Sequence, residues 1–364
     1  MPRPVSIPAL RRRIDRLDDQ LLRLLNRRAE LARAVAEQKA RRAAPIYAPA
    51  RERQVLARIV RQNRGPLGGE AVRAIFREII SASRAMEQRL RVAYLGPQAT
   101  FAHLAAQRQF GGTVDYLPAP TISEVFREVE RGNADVGVVP VENSTEGMVA
   151  HTLDLLVDSP LKICAEIILP IRHCLLAAPG QRLDDVRLVA AHPQALAQCR
   201  RWLGTHLPGV PTVEERSNAA AAQRAAAEEG LAAIASEVAA TTHGLDILAR
   251  GIQDEASNVT RFLVLAHHDT EHASGDDKTS LVLSVRDEVG VLARLLRPFA
   301  RYNVDLIKIE SRPLRERPWE YYFFLDLKGH RRDAQVARAL EAAARRALRL
   351  VVLGSYPQAV TPEA

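Results

Sequence analysis

From Leu10 to Arg42 the chain carries neither glycine nor proline, and Leu10, Ile14, Leu17, Leu21, Leu24, Leu25, Leu31 and Val35 recur mostly at three- and four-residue spacings. Such a run folds as one amphipathic helix of roughly 30 residues, near 45 Å long at about 1.5 Å per residue. Pro45 and Pro49 end it, Arg51–Arg64 reads as a second short helix, the GPLGG stretch at 65–69 as a turn, and Glu70–Leu90 as a third helix. Three such helices bury too little core to stand alone, and the first outreaches any bundle one chain can build from them. Helix exchange in a homodimer would supply the missing core.

The rest of the sequence bounds what surrounds that helix. At 364 residues the chain is long enough for two or three domains, and 47% apolar residues is too many for a disordered one. The net charge of +8 is uneven: residues 1–90 hold 21 Lys and Arg against 9 Asp and Glu, whereas residues 91–364 hold 30 against 34. A basic block can serve nucleic acid, an anionic membrane or a small polyanion. No helix-turn-helix pattern and no interleaving of basic with aromatic residues supports nucleic acid. Cys164, Cys174 and Cys199 lack any disulfide framework or metal spacing, which fits a reducing compartment. No signal peptide and no long uncharged apolar run occurs, so a cytoplasmic protein without membrane partners is expected.

At Arg91 the pattern changes. Short apolar runs followed by glycine-rich turns and helices recur at VAYLG (92–96), DVGVVPVENS (135–144), RLVAAHPQALAQCRRWL (187–203) and GLAAIASEVAA (230–240), with an alanine-rich helix at Ser217–Glu229, which predicts parallel α/β sheet. Polar residues at strand ends imply a ligand cleft between two lobes. No nucleotide, zinc or serine-hydrolase motif stands in a credible context, so neither metal nor cofactor is expected. HHDTEHASGDD (267–277) reads as a linker. After it come strand 279–285, helix 289–301, strands 304–311 and 321–327, helix 334–346 and strand 348–353, the ferredoxin-like βαββαβ order. The expected domains are therefore 1–90, all-α; 91–267, α/β; and 278–357, α+β.

On the first helix Arg28 and Lys39 are three turns apart and share a face, while Arg11 is too far along to reach the same ligand except from a partner subunit. LRRRIDRLDDQLLRLLNRRAELARAVAEQK, YAPARERQVL and FREIISASRAMEQ resemble the all-helical chorismate mutase domain over its whole length. In that family an intertwined dimer holds chorismate compressed while it rearranges to prephenate. The resemblance implies that Arg28 and the partner's Arg11 clamp carboxylates, that Arg51 is a further contact, and that Lys39 donates to the ether oxygen. It also implies that Glu52 accepts from the substrate hydroxyl and that Ser83 and Glu87 wall the pocket from the third helix. Such a reaction needs positioning and charge stabilisation rather than covalent help. Two residues depart from some relatives. Glu87 replaces a glutamine, and would have to stay protonated beside the substrate carboxylates to donate. Ala48 replaces an aspartate, leaving Glu52 as the main hydroxyl acceptor.

VAYLGPQATFAHLAA (92–106), VVPVENSTEG (138–147), AHPQALAQC (191–199) and TRF (260–262) resemble prephenate dehydratase, whose two lobes are similar to periplasmic binding proteins and which removes carbon dioxide and water from prephenate to give phenylpyruvate. The resemblance implies Thr260 as the directly acting residue, with Arg261 and Phe262 shaping its strand and pocket. Thr100, Glu142, Asn143, Ser144, Thr145 and Gln198 would line the cleft and bind prephenate. Ala191 stands where many relatives have serine, and His103 and His192 are expected to be structural.

DEVGVLARLLRPFARYNVDLIKIESRP (287–313) resembles the ACT domain fused to such dehydratases. That implies an effector site for L-phenylalanine at Val289, Gly290, Val291 and Leu292 with Glu310, Ser311, Arg312 and Pro313. The three segments together resemble the bifunctional chorismate mutase–prephenate dehydratases, with an alternative in which the helical module serves only dimerisation. The partners implied are chorismate, prephenate, L-phenylalanine and a second copy of the chain, possibly in a larger assembly.

Overall fold

The computed structural model describes residues 6–41, 45–286, 288–313 and 321–359. It divides into two compact units: residues 1–48, 55–90 and 110–115 form one, and the remainder the other.

The first unit holds α1 (Ile7–Ala40), α3 (Gly69–Ala85) and, from residue 55 onward, α2 (Pro49–Gln62), whose first turns are counted with the second unit. The 34 residues of α1 begin on a proline in the first turn, where no amide hydrogen is needed, and pack along α3. Its apolar stripe stays largely uncovered, with Ile14, Leu17, Leu21, Leu24, Leu31 and Val35 each more than half exposed. The small core lies at the other end, where Tyr47 meets Phe110 at 5.0 Å and the Arg84 guanidinium lies over both rings. One expected boundary moves: α3 stops at Ala85, not Leu90, because the amides of Glu87 and Gln88 turn back onto the Arg84 carbonyl before the chain enters the first strand.

The second unit opens with β1 (Arg91–Leu95), α4 (Phe101–Phe110), β2 (Asp115–Ala119), α5 (Ile122–Glu130), β3 (Val136–Asn143), β4 (Gly147–Met148), α6 (Ala150–Asp158) and β5 (Lys162–Pro170). A second lobe follows: β6 (Cys174–Ala177), β7 (Leu188–Ala191), α7 (Pro193–Gln198), α8 (Arg200–His206), β8 (Thr212–Glu214), α9 (Asn218–Ala225), β9 (Leu231–Ala235), α10 (Glu237–His243) and β10 (Asp246–Arg250). β11 (Val259–Ala266) then returns to the first lobe. The first sheet runs β2-β1-β3-β11-β5, with β4 beside β3, and the second runs β10-β6-β9-β7-β8. Neither is all-parallel, which corrects the expectation. β1 and β3 are parallel, but β11 runs against both neighbours, β3 and β5, because the chain re-enters the first lobe from the far one. β6 likewise opposes β9 and β10.

The C-terminal module has β12 (Asp277–Val285), α11 (Val291–Arg301), β13 (Leu306–Pro313), β14 (Tyr321–Lys328), α12 (Ala334–Ala344) and β15 (Arg349–Pro357), in antiparallel order β13-β14-β12-β15. Leu281, Leu283 and Val285 face the two helices. The opposite face is not solvated: Val282, Phe324, Leu353 and Tyr356 join Leu153, Ile163 and Leu263 of the first lobe in one core. Contact is so close at β15 that a Cβ on Gly354 would run into the carbonyl of Ile163. The 267–277 stretch is not a free linker either, since Thr270 is buried against Ser355 and Asp277 already belongs to β12.

Candidate active sites

Within the helical unit, the Arg28 guanidinium donates to the Ser83 hydroxyl at 2.5 Å, and that hydroxyl donates in turn to the Ile79 carbonyl at 2.6 Å. Partial burial lowers the pKa of Arg28 from its ordinary value. The structure thus brings two of the expected mutase residues together. Lys39 lies half-buried in the last turn of α1, and Arg11 is exposed on the same helix. Arg51 and Glu52 open α2, whose N-cap Ala48 offers no side-chain hydrogen bond. Glu87 does not stand on the third helix as expected, but in the exposed turn beyond it.

The cleft residues of the second unit come together on the edge where β11 enters the first sheet. Register pairs Thr260 with Asn143 and Arg261 with Glu142. Side chains alternate along a strand, so the two motifs divide between the sheet faces. On the cleft face, Asn143 Nδ2 donates to Thr260 Oγ1 at 2.9 Å and to Asn258 Oδ1 at 2.9 Å. Asn143 Oδ1 accepts from the Thr145 amide, the Thr145 hydroxyl and the Glu146 amide. Those backbone donors fix which end of the Asn143 amide faces Thr260. Asn258 Nδ2 continues the chain to Gln198 Oε1 at 3.0 Å, and Gln198 Nε2 crosses between the lobes to Glu146 at 2.9 Å and Thr145 at 3.4 Å.

Among the described residues the only hydrogen bond of the Thr260 hydroxyl is the one it accepts, so its own hydrogen is directed elsewhere. A hydroxyl that accepts from an amide in a low-dielectric chain becomes a better donor. Phe262, on the same face, is buried beneath it. Ser144 instead bridges the strand start, accepting from the Val259 amide and donating to the Ser257 carbonyl. Thr100 donates to Leu95 and accepts from the His103 amide at the start of α4. His103 accepts from the Ala99 amide and stacks on Tyr94, and burial lowers its pKa. His192 caps α7 through the Gln194 amide. Both ring nitrogens named here bond the backbone at the start of a helix and not another side chain.

Glu142 and Arg261 lie on the opposite face and are not brought to Thr260. Arg261 donates to Glu166 at 2.7 Å, Asp326 at 2.7 Å and the Tyr356 hydroxyl at 3.0 Å. Lys278 Nζ closes the cluster on both Glu166 oxygens at 2.9 Å, and Ser280 bonds Asp326 and Tyr356. Burial alone would raise the Asp326 carboxyl, but the charges of Arg261 and Lys278 and the Ser280 hydroxyl hold it below the usual range. Burial would likewise lower Arg261, and the Tyr356 phenol with the Asp326 and Glu166 carboxylates raises it instead. Glu142 pairs with Lys308 of β13. The expectation that Glu142 and Arg261 bind substrate therefore gives way to an ionic contact between the two sheets.

The expected effector residues also divide. Gly290 takes a left-handed φ of 76° at the N-cap of α11, beside the fully exposed Val289, with Val291 half-buried and Leu292 exposed. On edge strand β13, Ser311 and Pro313 are exposed, whereas Arg312 turns inward to Asp154 at 3.0 Å and Glu310 lines a cavity of about 30 Å³ with Arg261 and Lys308. Asn258, Glu146 and His173 were missed from the sequence. Asn258 stands two residues before TRF and Glu146 inside the ENSTEG run, so position could have flagged both, whereas nothing local marks His173.

With that geometry in place, residues 10–88 match the chorismate mutase type II family, residues 92–270 prephenate dehydratase and residues 279–345 the ACT domain. A bifunctional chorismate mutase/prephenate dehydratase of Aquifex aeolicus is 47% identical over 98% of this chain and 99% of its own length. A prephenate dehydratase of Mycobacteroides abscessus is 40% identical, covering 74% of this chain and 91% of its own. Among solved structures, prephenate dehydratase from Arthrobacter aurescens in complex with L-Phe is 35% identical, with a TM-score of 0.68 over 75% of this chain and 93% of that one. No described helix is long and apolar enough to cross a membrane.

Proposed function

The chain belongs to the bifunctional chorismate mutase/prephenate dehydratase family, and from that membership we propose that it rearranges chorismate to prephenate and converts prephenate to phenylpyruvate under feedback by L-phenylalanine. The division into segments 1–90, 91–267 and 278–357 follows the same reading, as does a cytoplasmic location. The observation that carries the dehydratase assignment is the 2.9 Å bond from Asn143 to Thr260, which leaves the threonine hydrogen free for substrate.

Prephenate loses its ring carboxylate as carbon dioxide, and the released electron pair moves through the ring to expel the C4 hydroxyl. That group takes up one proton, ultimately from solvent, and leaves as water. Thr260 donates to the departing oxygen as negative charge builds there, a contact that strengthens in the transition state. A threonine hydroxyl needs no shifted pKa for this work. Gln198, Asn143, Thr145, Ser144 and Thr100 shape the polar cleft around the substrate.

In the helical module Arg28 and Arg11 of the partner subunit hold the two carboxylates, and Lys39 stabilises the ether oxygen whose bond breaks. Arg51 adds a polar contact, Glu52 accepts from the substrate hydroxyl and Ser83 supports Arg28. The uncovered stripe of α1 supports a homodimer with exchanged helices, because exposed apolar patches of that extent mark interfaces. Gly290 and Ser311 belong to the effector site of the ACT domain.

A coupled assay on the purified full chain tests all of this. Chorismate should disappear, phenylpyruvate should form, and L-phenylalanine should slow the second step. Thr260→Ala should lower kcat for prephenate about a hundredfold with KM changed only a few-fold. A loss confined to KM would remove Thr260 from the transition state.

A further inference from the structure

His173 lies between β5 and β6, where the chain crosses from one lobe to the other, and is 2% exposed. Its backbone is tied to the returning crossover, its amide donating to Gln253 Oε1 at 3.0 Å and its carbonyl accepting from the Ile252 amide at 3.0 Å. The ring stands edge-on to Phe101, centroids 5.4 Å apart, next to Thr100 of the cleft. Its Nε2 is 2.9 Å from Gln198 Oε1.

The donor count around Gln198 fixes what that contact is. Asn143 is oriented by backbone amides, so Asn258 must present its oxygen to Asn143 and its NH2 to Gln198. Gln198 therefore presents Oε1 to both Asn258 and His173, and its NH2 to the Glu146 carboxylate, which only accepts. His173 must then be the Nε2–H tautomer. Its Nδ1 is buried without a hydrogen-bond partner among the described residues, which a bare ring nitrogen tolerates and a protonated one does not.

We propose that His173 is a positioning residue for the dehydratase reaction: its buried Nε2–H, working against Glu146 on the other side, fixes the Gln198 amide and so the amide chain that ends on Thr260. His173 does not touch the substrate. It acts through Gln198, which joins the second lobe to Thr145, Glu146 and Asn258 of the first lobe and the returning crossover. Without the histidine donor, Gln198 loses one of the two bonds to its oxygen and can swing within the cleft, so the chain supporting Asn143 and Thr260 loosens while the groups that contact prephenate remain.

The inference rests on the reading of Thr260 given above. Steady-state kinetics of the full chain with prephenate, read as kcat against KM, tests it in His173→Leu, His173→Gln, Gln198→Ala and the Gln198→Ala/His173→Leu double variant. Leucine removes the donor, and glutamine can place an NH2 near the position of Nε2. His173→Leu should lower kcat about tenfold, the effect of one lost buried hydrogen bond, with KM within about twofold. His173→Gln should recover kcat to within about threefold of the parent. In the Gln198→Ala background His173→Leu should cost less than about twofold more, since the residue it acts through is gone. Mutase turnover by the same proteins checks that each variant is folded. Equal losses in the leucine and glutamine variants, or an undiminished loss in the Gln198→Ala background, would overturn the proposal. Wild-type kcat in Thr260→Ala would instead overturn the reading beneath it.

Discussion

Arg261 donates a 2.7 Å hydrogen bond to Asp326 of the C-terminal sheet, although its neighbour Thr260 faces the catalytic cleft from the other side of the same strand. The position of Thr260 is thus anchored from behind by a charge cluster shared between two sheets. Arg261→Met would leave Glu166 with Lys278 and the Ala359 amide, and Asp326 with the Ser280 hydroxyl as its hydrogen-bond partner. Breaking a buried ion pair from one side typically costs about 3–5 kcal/mol. Urea unfolding of the full chain should register a loss of that size, with Glu142→Gln, half-exposed, costing under about 1 kcal/mol. Comparable small losses in both variants would show that the cluster does not hold the sheets together.

The Lys308–Glu142 pair is the partly exposed end of the same interface, two residues from Glu310 and directly behind Asn143. A shift of β13 on effector binding would reach the cleft strand through this contact. Lys308→Met should leave uninhibited dehydratase kcat within about twofold, yet raise the L-phenylalanine concentration for half-inhibition about fivefold or more, the lower range of allosteric coupling. Calorimetry should find L-phenylalanine still bound. Unchanged inhibition would exclude the inward face of β13 as the route.

Burial lowers the pKa of both His103 and His173, with the Gln198 hydrogen bond opposing the shift only in part at His173. The unfolded chain therefore binds protons that the folded chain refuses. Stability is fully present above the ordinary histidine value of about 6.5 and is lost as pH falls from there towards the depressed folded values. Thermal melts of the parent should drop between about pH 6.5 and 5, and His103→Gln/His173→Gln should flatten that limb. A limb as steep in the double variant would assign it to other groups.

Part of the helix and strand order was legible because periodicity and turn residues are local: α1, the lobe strands β1, β3, β7 and β9 and the βαββαβ order follow from spacing. Facing was not. Lys278, Ser280 and Ser284 are polar residues on one face of β12, yet each is no more than 7% exposed because a second sheet covers them. The resemblance grouped Glu142 with Asn143 and Arg261 with Thr260, but the strand period of two sends one member of each pair to the cleft and the other to the interface. Asn143, Thr145, Gln198 and Thr260 could be named from motifs. Asn258 and His173 join them only through long-range contacts, Asn258 with Asn143 and Gln198 and His173 with Gln198.

At the start of α2 the chain lacks a cap. Ala48 occupies the N-cap with no side-chain bond to the first-turn amides, although Glu52 already places negative charge in that turn. Ala48→Asp supplies an acceptor for those amides and a further charge on the positive end of the helix dipole, whereas Ala48→Asn supplies the acceptor alone. Aspartate should raise stability by about 1 kcal/mol and asparagine by nearly as much, read as a shift in the urea midpoint at constant slope. Chorismate kinetics on the same variants give a second readout: an aspartate that also reaches the substrate hydroxyl lowers KM for chorismate while the asparagine variant, weaker as an acceptor, lowers it less. A destabilised Ala48→Asp chain would mean that charge repulsion with Glu52 outweighs the cap.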